Sequence, residues 1–198
     1  MIKLSGAIPL LFIFLITCFN SFSQELTKEQ NTKIEQYQLA LTTSIEGDEF
    51  INAAAISSKI AYAYWDSRMY DDAISFFNQS IEFSNKVDNE NGVKTIRFNL
   101  GLVNIDKGDY EAALTEFNSG VIIARKLNQK KDILSGLINS ASITQRLCQH
   151  EEAITTTIEA LAYAQELKDL NLTKRCYGIL YENYQEIGDS EKSIEYFD

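Results

Sequence analysis

The sequence predicts an all-α chain, a solenoid of stacked antiparallel helix pairs, and three observations predict it. In GDYEAALTEFNSGVIIARKL, residues 108–127, Ala113, Phe117, Gly120, Ala124 and Leu127 recur at steps of four and three, the spacing that lines one face of a helix. The same pattern returns every 40 residues, so each unit is a helix, a tight turn and a helix. The 198 residues hold one proline and 45% hydrophobic side chains, so helices can run unbroken over a buried core.

Residues 1–23 are set apart as a cleaved secretory leader: Lys3, a run of low polarity at 7–19, then Ser21, Phe22 and Ser23 as a small-x-small ending. The apolar run falls short of the roughly 20 residues that cross a bilayer, which makes an uncleaved anchor the lesser alternative. Leu15, Ile16, Thr17 and Cys18 resemble the lipid-attachment box of bacterial lipoproteins, with Thr17 as a departure. Lipidation at Cys18 is a further alternative. The expected location is extracytoplasmic, periplasm or secreted, with membrane attachment only through such a lipid or an anchor absent from this chain.

The second helices align in columns. Ala73, Ala113, Ala153 and Ser193 form a small column, then come Ile74, Leu114, Ile154 and Ile194. A third holds Phe77, Phe117, Thr157 and Phe197, followed by Ser80, Gly120 and Ala160, then Ile81, Val121 and Leu161. Small columns set the distance between neighbouring helices and large ones fill the gaps. First helices repeat through Ile60, Leu100, Ser140 and Leu180, then Ala61, Gly101, Ala141 and Tyr181. Asp109 and Asp189 are placed to cap the helices that follow them.

NLGLVNIDKGDYEAALTEFNSGV, residues 99–121, resembles a tetratricopeptide repeat through Leu100, Gly101, Gly108, Asp109, Tyr110, Ala113, Phe117, Gly120 and Val121. YDDAISFFNQSI at 70–81 and HEEAITTTIEAL at 150–161 match more weakly. Asn104 and Thr144 replace an expected aromatic, no repeat ends in proline, and the period exceeds the family's usual ~34. A 40-residue period resembles the longer variety of bacterial exported and signalling proteins. The resemblance implies a right-handed α-solenoid. The units are set at 54–93, 94–133, 134–173 and a partial 174–198, preceded at 24–53 by the second helix of an incomplete unit and a connector. In that first helix Ile34, Tyr37, Ala40 and Leu41 continue the columns, and Thr27 with Gln30 forms a capping box. At the other end about nine helical residues with no polar cap are expected to fray or to lead into a longer architecture.

The leader carries one lysine and no acid, so its removal takes the formal charge from −10 to −11. Such a surface repels phosphate backbones, and nucleic acid is not an expected partner. The cluster Arg125, Lys126, Lys130 and Lys131 reads as a solvated helix end that suits the helix dipole. After cleavage Cys148 and Cys176 remain. Parallel first helices would hold them roughly 18 Å apart along the axis, beyond the ~7 Å reach of a disulfide. Two free thiols are expected.

No catalytic inventory is assembled, and the chain is not expected to be an enzyme. His150 shares a turn column with Tyr70, Tyr110 and Ser190, which favours a structural role. Cys148 and His150 lack a second ligand pair, so no metal is expected. Asp71, Asp72, Glu151 and Glu152 lie in first turns of helices, where they complement the dipole. No glycine-rich phosphate loop occurs, and no cofactor is expected.

The resemblance places first helices on a concave face, with Tyr62, Trp65, Phe98, Leu102, Ile105 and Ile138 as an apolar end grading to charge around Arg146, Arg175, Glu182 and Glu186. Tyr62, Trp65, Phe98, Leu102, Ile105, Ile138 and Arg146 are the candidate partner-binding residues. In the competing arrangement longer repeats bury these side chains against a neighbouring helix. The carboxylate clamp of chaperone-binding relatives is discounted, since only Asn99 among its corresponding positions fits. The expected function is an exported scaffold that binds a protein or peptide. The alternative is the sensory leader of a bacterial signal transducer, of histidine kinase or transcriptional regulator type, truncated at Asp198.

Overall fold

The computed structural model describes residues 26–197. The leader assigned to residues 1–23, with Cys18, lies outside them. Among the described residues nine helices follow one another: α1 (Lys28–Glu46), α2 (Phe50–Asp66), α3 (Tyr70–Lys86), α4 (Glu90–Lys107), α5 (Tyr110–Lys126), α6 (Lys130–Arg146), α7 (His150–Glu166), α8 (Leu170–Glu186) and α9 (Ser190–Glu195). Connections this short leave consecutive helices antiparallel. Each helix packs on its sequence neighbours, and α6 also meets α8, so the pairs stack as successive layers.

Helix starts follow the local chemistry. At α1 the Gln30 N–H donates to Thr27 Oγ1 at 3.2 Å while the Thr27 N–H donates to Gln30 Oε1 at 2.8 Å, the expected reciprocal cap. Asp109 and Asp189 accept from the Ala112 and Lys192 amides, as their positions predict, and Asn89 and Asp169 do the same for α4 and α8. The first helices of the units begin at Phe50, Glu90, Lys130 and Leu170. The divisions placed at 54, 94, 134 and 174 therefore cut four residues inside them. Column alignment identifies equivalent residues, whereas the caps decide where a helix begins.

All eight turns use one device. The amide just before each new helix donates to the carbonyl five residues back, as in Glu49 to Ser44 at 2.8 Å, Asp109 to Asn104 at 2.8 Å and Gln149 to Thr144 at 2.9 Å. The residue between is left-handed, at Asp48, Arg68, Asp88, Gly108, Asn128, Cys148, Lys168 and Gly188, one every 20 residues. This is the helix-ending pattern that glycine suits best. For a side chain such as that of Arg68, at φ 57°, the conformation costs energy. Arg68→Gly is expected to stabilise the fold by about 1 kcal/mol, the relief of that strain less the added freedom of the unfolded chain. The urea midpoint should rise, and a fall would mean that the Arg68 side chain contributes packing that outweighs the strain.

The core repeats with the columns. Phe77 and Phe117 occupy the same place in successive layers and are both fully buried. Thr157 replaces the ring in the third layer, and its hydroxyl donates to the Ala153 carbonyl at 2.6 Å. Phe197 does not continue the column: α9 ends at Glu195, and Phe197 is exposed. The six-residue α9, shorter than the nine residues expected, is held instead by Tyr196, whose ring stacks on Tyr184 at 5.7 Å and 2°.

Cys148 is exposed at a turn, Cys176 is buried on α8, and both are free thiols. Burial pushes the Cys176 thiol up to about 11, offset only in part by the Arg175 charge. At pH 8 a disulfide reagent should therefore label one thiol of the native protein rapidly and the second only in denaturant. Equal rates would show that the packing around Cys176 opens readily.

Candidate binding face

The first helices α2, α4 and α6 carry the candidate residues, and the structure sorts them into two groups. Tyr62 and Trp65 lie one turn apart on α2 with their rings stacked at 6.0 Å and 17°. Tyr62 also meets the buried Phe77 edge-on at 5.2 Å. The polar tip of each ring is taken by the next unit: Asn99 Nδ2 donates to the Tyr62 hydroxyl at 2.7 Å, and Trp65 Nε1 donates to Asp106 Oδ2 at 2.7 Å. Partial burial raises the Tyr62 hydroxyl above its ordinary pKa, with the Asn99 hydrogen bond working against that rise. Tyr62 remains 40% exposed and Leu102 38%. Tyr62 and Leu102 thus remain accessible, Trp65 is half-buried against the cluster of Ala73 and Phe77, and Asn99 and Asp106 engage the polar atoms of the two rings.

The other four candidates are placed differently. Ile138 is 1% exposed and belongs to the core cluster of Leu134, Ala160 and Cys176, so it cannot line an accessible face. Phe98 is half-buried against two core clusters. Ile105 is half-buried against the cluster of Ala113, Phe117 and Ile143. For these three the competing arrangement, burial against a neighbouring helix, is what the structure shows in whole or in part. Arg146 is exposed, and its guanidinium stands 5.7 Å from the Tyr110 ring centroid. It keeps access to solvent but lies apart from the Tyr62 group. Further along the face Gln145 Nε2 donates to Glu182 Oε2 at 2.6 Å, so Glu182 is already engaged.

Two features went unseen in the sequence. Between α2 and α4 lies a groove of about 340 Å³, walled by Ala55, Ser58, Tyr62, Ser80, Thr95 and Asn99 among others. Next to it in the following unit Lys94 is buried, and its Nζ donates to Asn91, Gln129 and Asp132, tying α4 to the start of α6. Lysine in a column otherwise filled by Ala54, Leu134 and Lys174 gives no hint of burial, because its acceptors come from up to 38 residues away.

The remaining titratable groups are structural. Three of the four members of the basic cluster are paired, Arg125 with Glu159, Lys126 with Glu90 and Lys130 with Glu166. Exposed pairs of this kind add little stability, yet they remove a basic patch. Asn183 is buried; its Nδ2 donates to the Ile179 carbonyl at 2.7 Å, leaving its Oδ1 to accept from His150 Nδ1 at 2.8 Å. His150 thereby joins α7 to α8, and its Nδ1 carries the proton. Among the described residues no group of three or more His, Cys, Asp or Glu is disposed to hold a metal ion. No helix among them is long and apolar enough to cross a membrane.

Comparison with known proteins agrees with the fold. Residues 52–126 match the family model described as tetratricopeptide repeat, and residues 128–185 match the one described as anaphase-promoting complex subunit 5. Response regulator aspartate phosphatase I of Bacillus subtilis (strain 168) is 23% identical over 181 residues, covering 90% of this chain and 45% of that protein. The chain therefore spans less than half the length of this relative. Among solved structures, BtubC (BKLC) from P. vanneervenii superposes with a TM-score of 0.73 at 19% identity, over 86% of this chain and 71% of that one. The apo form of RapI gives 0.76 at 19% identity, over 86% and 47%. A Rap protein complexed with Competence and Sporulation Factor gives 0.60 at 14% identity, over 86% and 57%. At these identities the likeness is one of fold.

Proposed function

The chain is a tetratricopeptide-repeat protein, and from that premise we propose that it is a scaffold that binds a protein or peptide segment on the face of its first helices. The carrying observation is the exposed Tyr62, stacked on the half-buried Trp65 and lining the groove between α2 and α4, with Leu102 also exposed on α4. Exposed aromatic and aliphatic side chains on a rigid frame are the usual anchors of a protein interface. The Rap structure named above is of a complex with Competence and Sporulation Factor, which supports a partner-binding role for a fold of this kind. Stacked units expose such a surface as a concave strip.

Trp65 is the only tryptophan of the chain, so its emission reports on this face directly. With a partner purified by affinity capture, titration should shift Trp65 emission, and Leu102→Ser should weaken binding by tenfold or more while leaving helicity intact. Binding that leaves Trp65 emission and the Leu102→Ser affinity unchanged would place the partner elsewhere and reject the reading.

The same reading sets the scaffold outside the cytoplasm, on the strength of the leader-like residues 1–23. The mass and N-terminal sequence of the protein recovered from the periplasm test this. Cleavage before Gln24 is expected, a lipid-bearing Cys18 would shift the reading to a membrane-anchored scaffold, and an intact leader in the cytoplasm would reject export.

A second reading is favoured by one observation, the similarity over 90% of this chain to a protein named as a response regulator phosphatase. In it the chain is the sensory repeat region of a signal transducer, with no catalytic step assigned to its own residues. Coding sequence continuing from Asp198 into a kinase, phosphatase or DNA-binding segment would establish this reading. A stop codon there would exclude it.

A further inference from the structure

The hydrogen bonds that α2 and α4 exchange across their exposed face leave negative charge without a counter-charge. Trp65 Nε1 donates to Asp106 Oδ2 at 2.7 Å, and Asp106 Oδ1 has no hydrogen bond among the described residues. Asp66, next to Trp65, is the last residue of α2, and Asp106 is the penultimate residue of α4. A carboxylate in the last turn faces the negative end of the helix dipole, where a cation is the favourable group. On α3 and α5 the acids Asp71, Asp72 and Glu111 lie instead in first turns, where the dipole stabilises them. Among the described residues no lysine or arginine pairs with Asp66 or Asp106: Lys107 is held by Asp71 at 2.7 Å, and Arg68 makes no ion pair with either.

Ring and aliphatic surface adjoin these carboxylates. Tyr62 is 40% exposed, its ring stacks on Trp65, and its hydroxyl is already taken by Asn99. Asn99, Leu102 and Asp106 stand three and four residues apart on one face of α4, with Leu102 exposed. What this face offers a partner is therefore the Tyr62 ring, the Leu102 side chain and unpaired carboxylate oxygens. One unit later Arg146 takes the column of Asp66 and Asp106, so the uncompensated negative charge is confined to α2 and α4.

We propose that this face takes a basic side chain, arginine or lysine, from the partner segment, with its aliphatic stem against Leu102 and its charged head beside the Tyr62 ring and Asp106. The inference rests on the scaffold reading above and names the chemistry of the partner. A purely apolar side chain here would cover the carboxylates while supplying no counter-charge, and burial of an unpaired charge is unfavourable. An acidic one would meet two like charges on a chain whose net charge is −10. A basic side chain meets neither obstacle. Its head is attracted by the face of an aromatic ring as well as by a carboxylate. Its stem covers apolar surface while the head keeps its contact with water. It also supplies the cation that the last turn of α2 lacks.

The test titrates the full chain with N-acetyl-tetraarginine amide and N-acetyl-tetraglutamate amide and follows Trp65 emission. A saturable change with the arginine probe, at least tenfold weaker with the glutamate probe, is expected. Asp106→Asn keeps an acceptor for Trp65 Nε1 and removes the charge, and it should weaken the arginine probe at least fivefold. Asp66→Asn, which does not touch that hydrogen bond, should weaken it at least threefold, so loss of charge is separated from loss of the bond. The double variant Glu151→Gln and Glu152→Gln removes twice the charge from the first turn of α7 and should stay within twofold of the parent chain. Absence of a saturable change, equal response to both probes, unchanged affinity in either aspartate variant, or an equal loss in the α7 variant overturns the proposal. A captured partner that is weakened by Leu102→Ser but not by Asp106→Asn rejects this inference and leaves the scaffold reading standing.

Discussion

Phe117→Ala should lower the free energy of unfolding by about 3–5 kcal/mol, the range for removing a fully enclosed aromatic side chain. Phe117 is 1% exposed, and its ring lies so close over Gly101 that a Cβ there would come within 2.6 Å of it. It also stacks on Phe98 at 6.1 Å and 30°. The void left by alanine cannot close readily, because the Phe98 ring over Gly120 still holds α4 and α5 apart. The position matters as much as the size. A stacked-repeat fold is stabilised between neighbours, so a weakened central unit uncouples the units on either side. Urea unfolding followed by circular dichroism measures the effect, and a broadened or two-step transition should accompany the loss. A loss below about 1 kcal/mol would mean that the ring is not enclosed.

Gly120→Ala should destabilise the protein although alanine is the better helix former. The exchange gains about 1 kcal/mol in helix propensity. Against that, the new methyl would stand 2.3 Å from the Phe98 ring, whose same edge already faces Gly136, where a Cβ would lie 3.0 Å away. Overpacking of this kind costs about 1–3 kcal/mol and here more than offsets the propensity gain. Phe98→Leu should recover most of the loss, since it withdraws the ring edge from the new methyl. The two substitutions should therefore couple by about 1–3 kcal/mol in a double-mutant cycle. Additive effects would show that Phe98 does not occupy the glycine slot.

The 40-residue period, the helix pairs and the buried columns were legible because helical spacing places Ala113, Phe117 and Gly120 on one face whatever lies opposite. The capping of α5 and α9 was legible for a similar reason, since Asp109 and Asp189 act on amides three residues away. The orientation of the first helices was not. Whether Phe98 or Ile138 faces solvent depends on the volume of residues on the next helix and in the following unit: Gly120 and Gly136 draw in the Phe98 ring, and Ala160 and Cys176 share a cluster with Ile138. The burial of Lys94 likewise depends on Gln129 and Asp132. The turns were half legible. Gly108 and Gly188 announce a left-handed residue, whereas Arg68, Cys148 and Lys168 adopt the same conformation against their own preference.

Because every elbow among the described residues has the same left-handed pivot and the same five-residue hydrogen bond, the first and second rods of the pairs are joined by interchangeable parts. Gain or loss of a whole pair re-forms the same elbow and keeps each rod on its side. Gain or loss of a single rod also re-forms the elbow but transposes the sides of everything downstream, turning the accessible strip of later layers to the back. Length in this architecture is therefore neutral only in steps of two rods, and a partner gripping several layers at once imposes that parity on the chain.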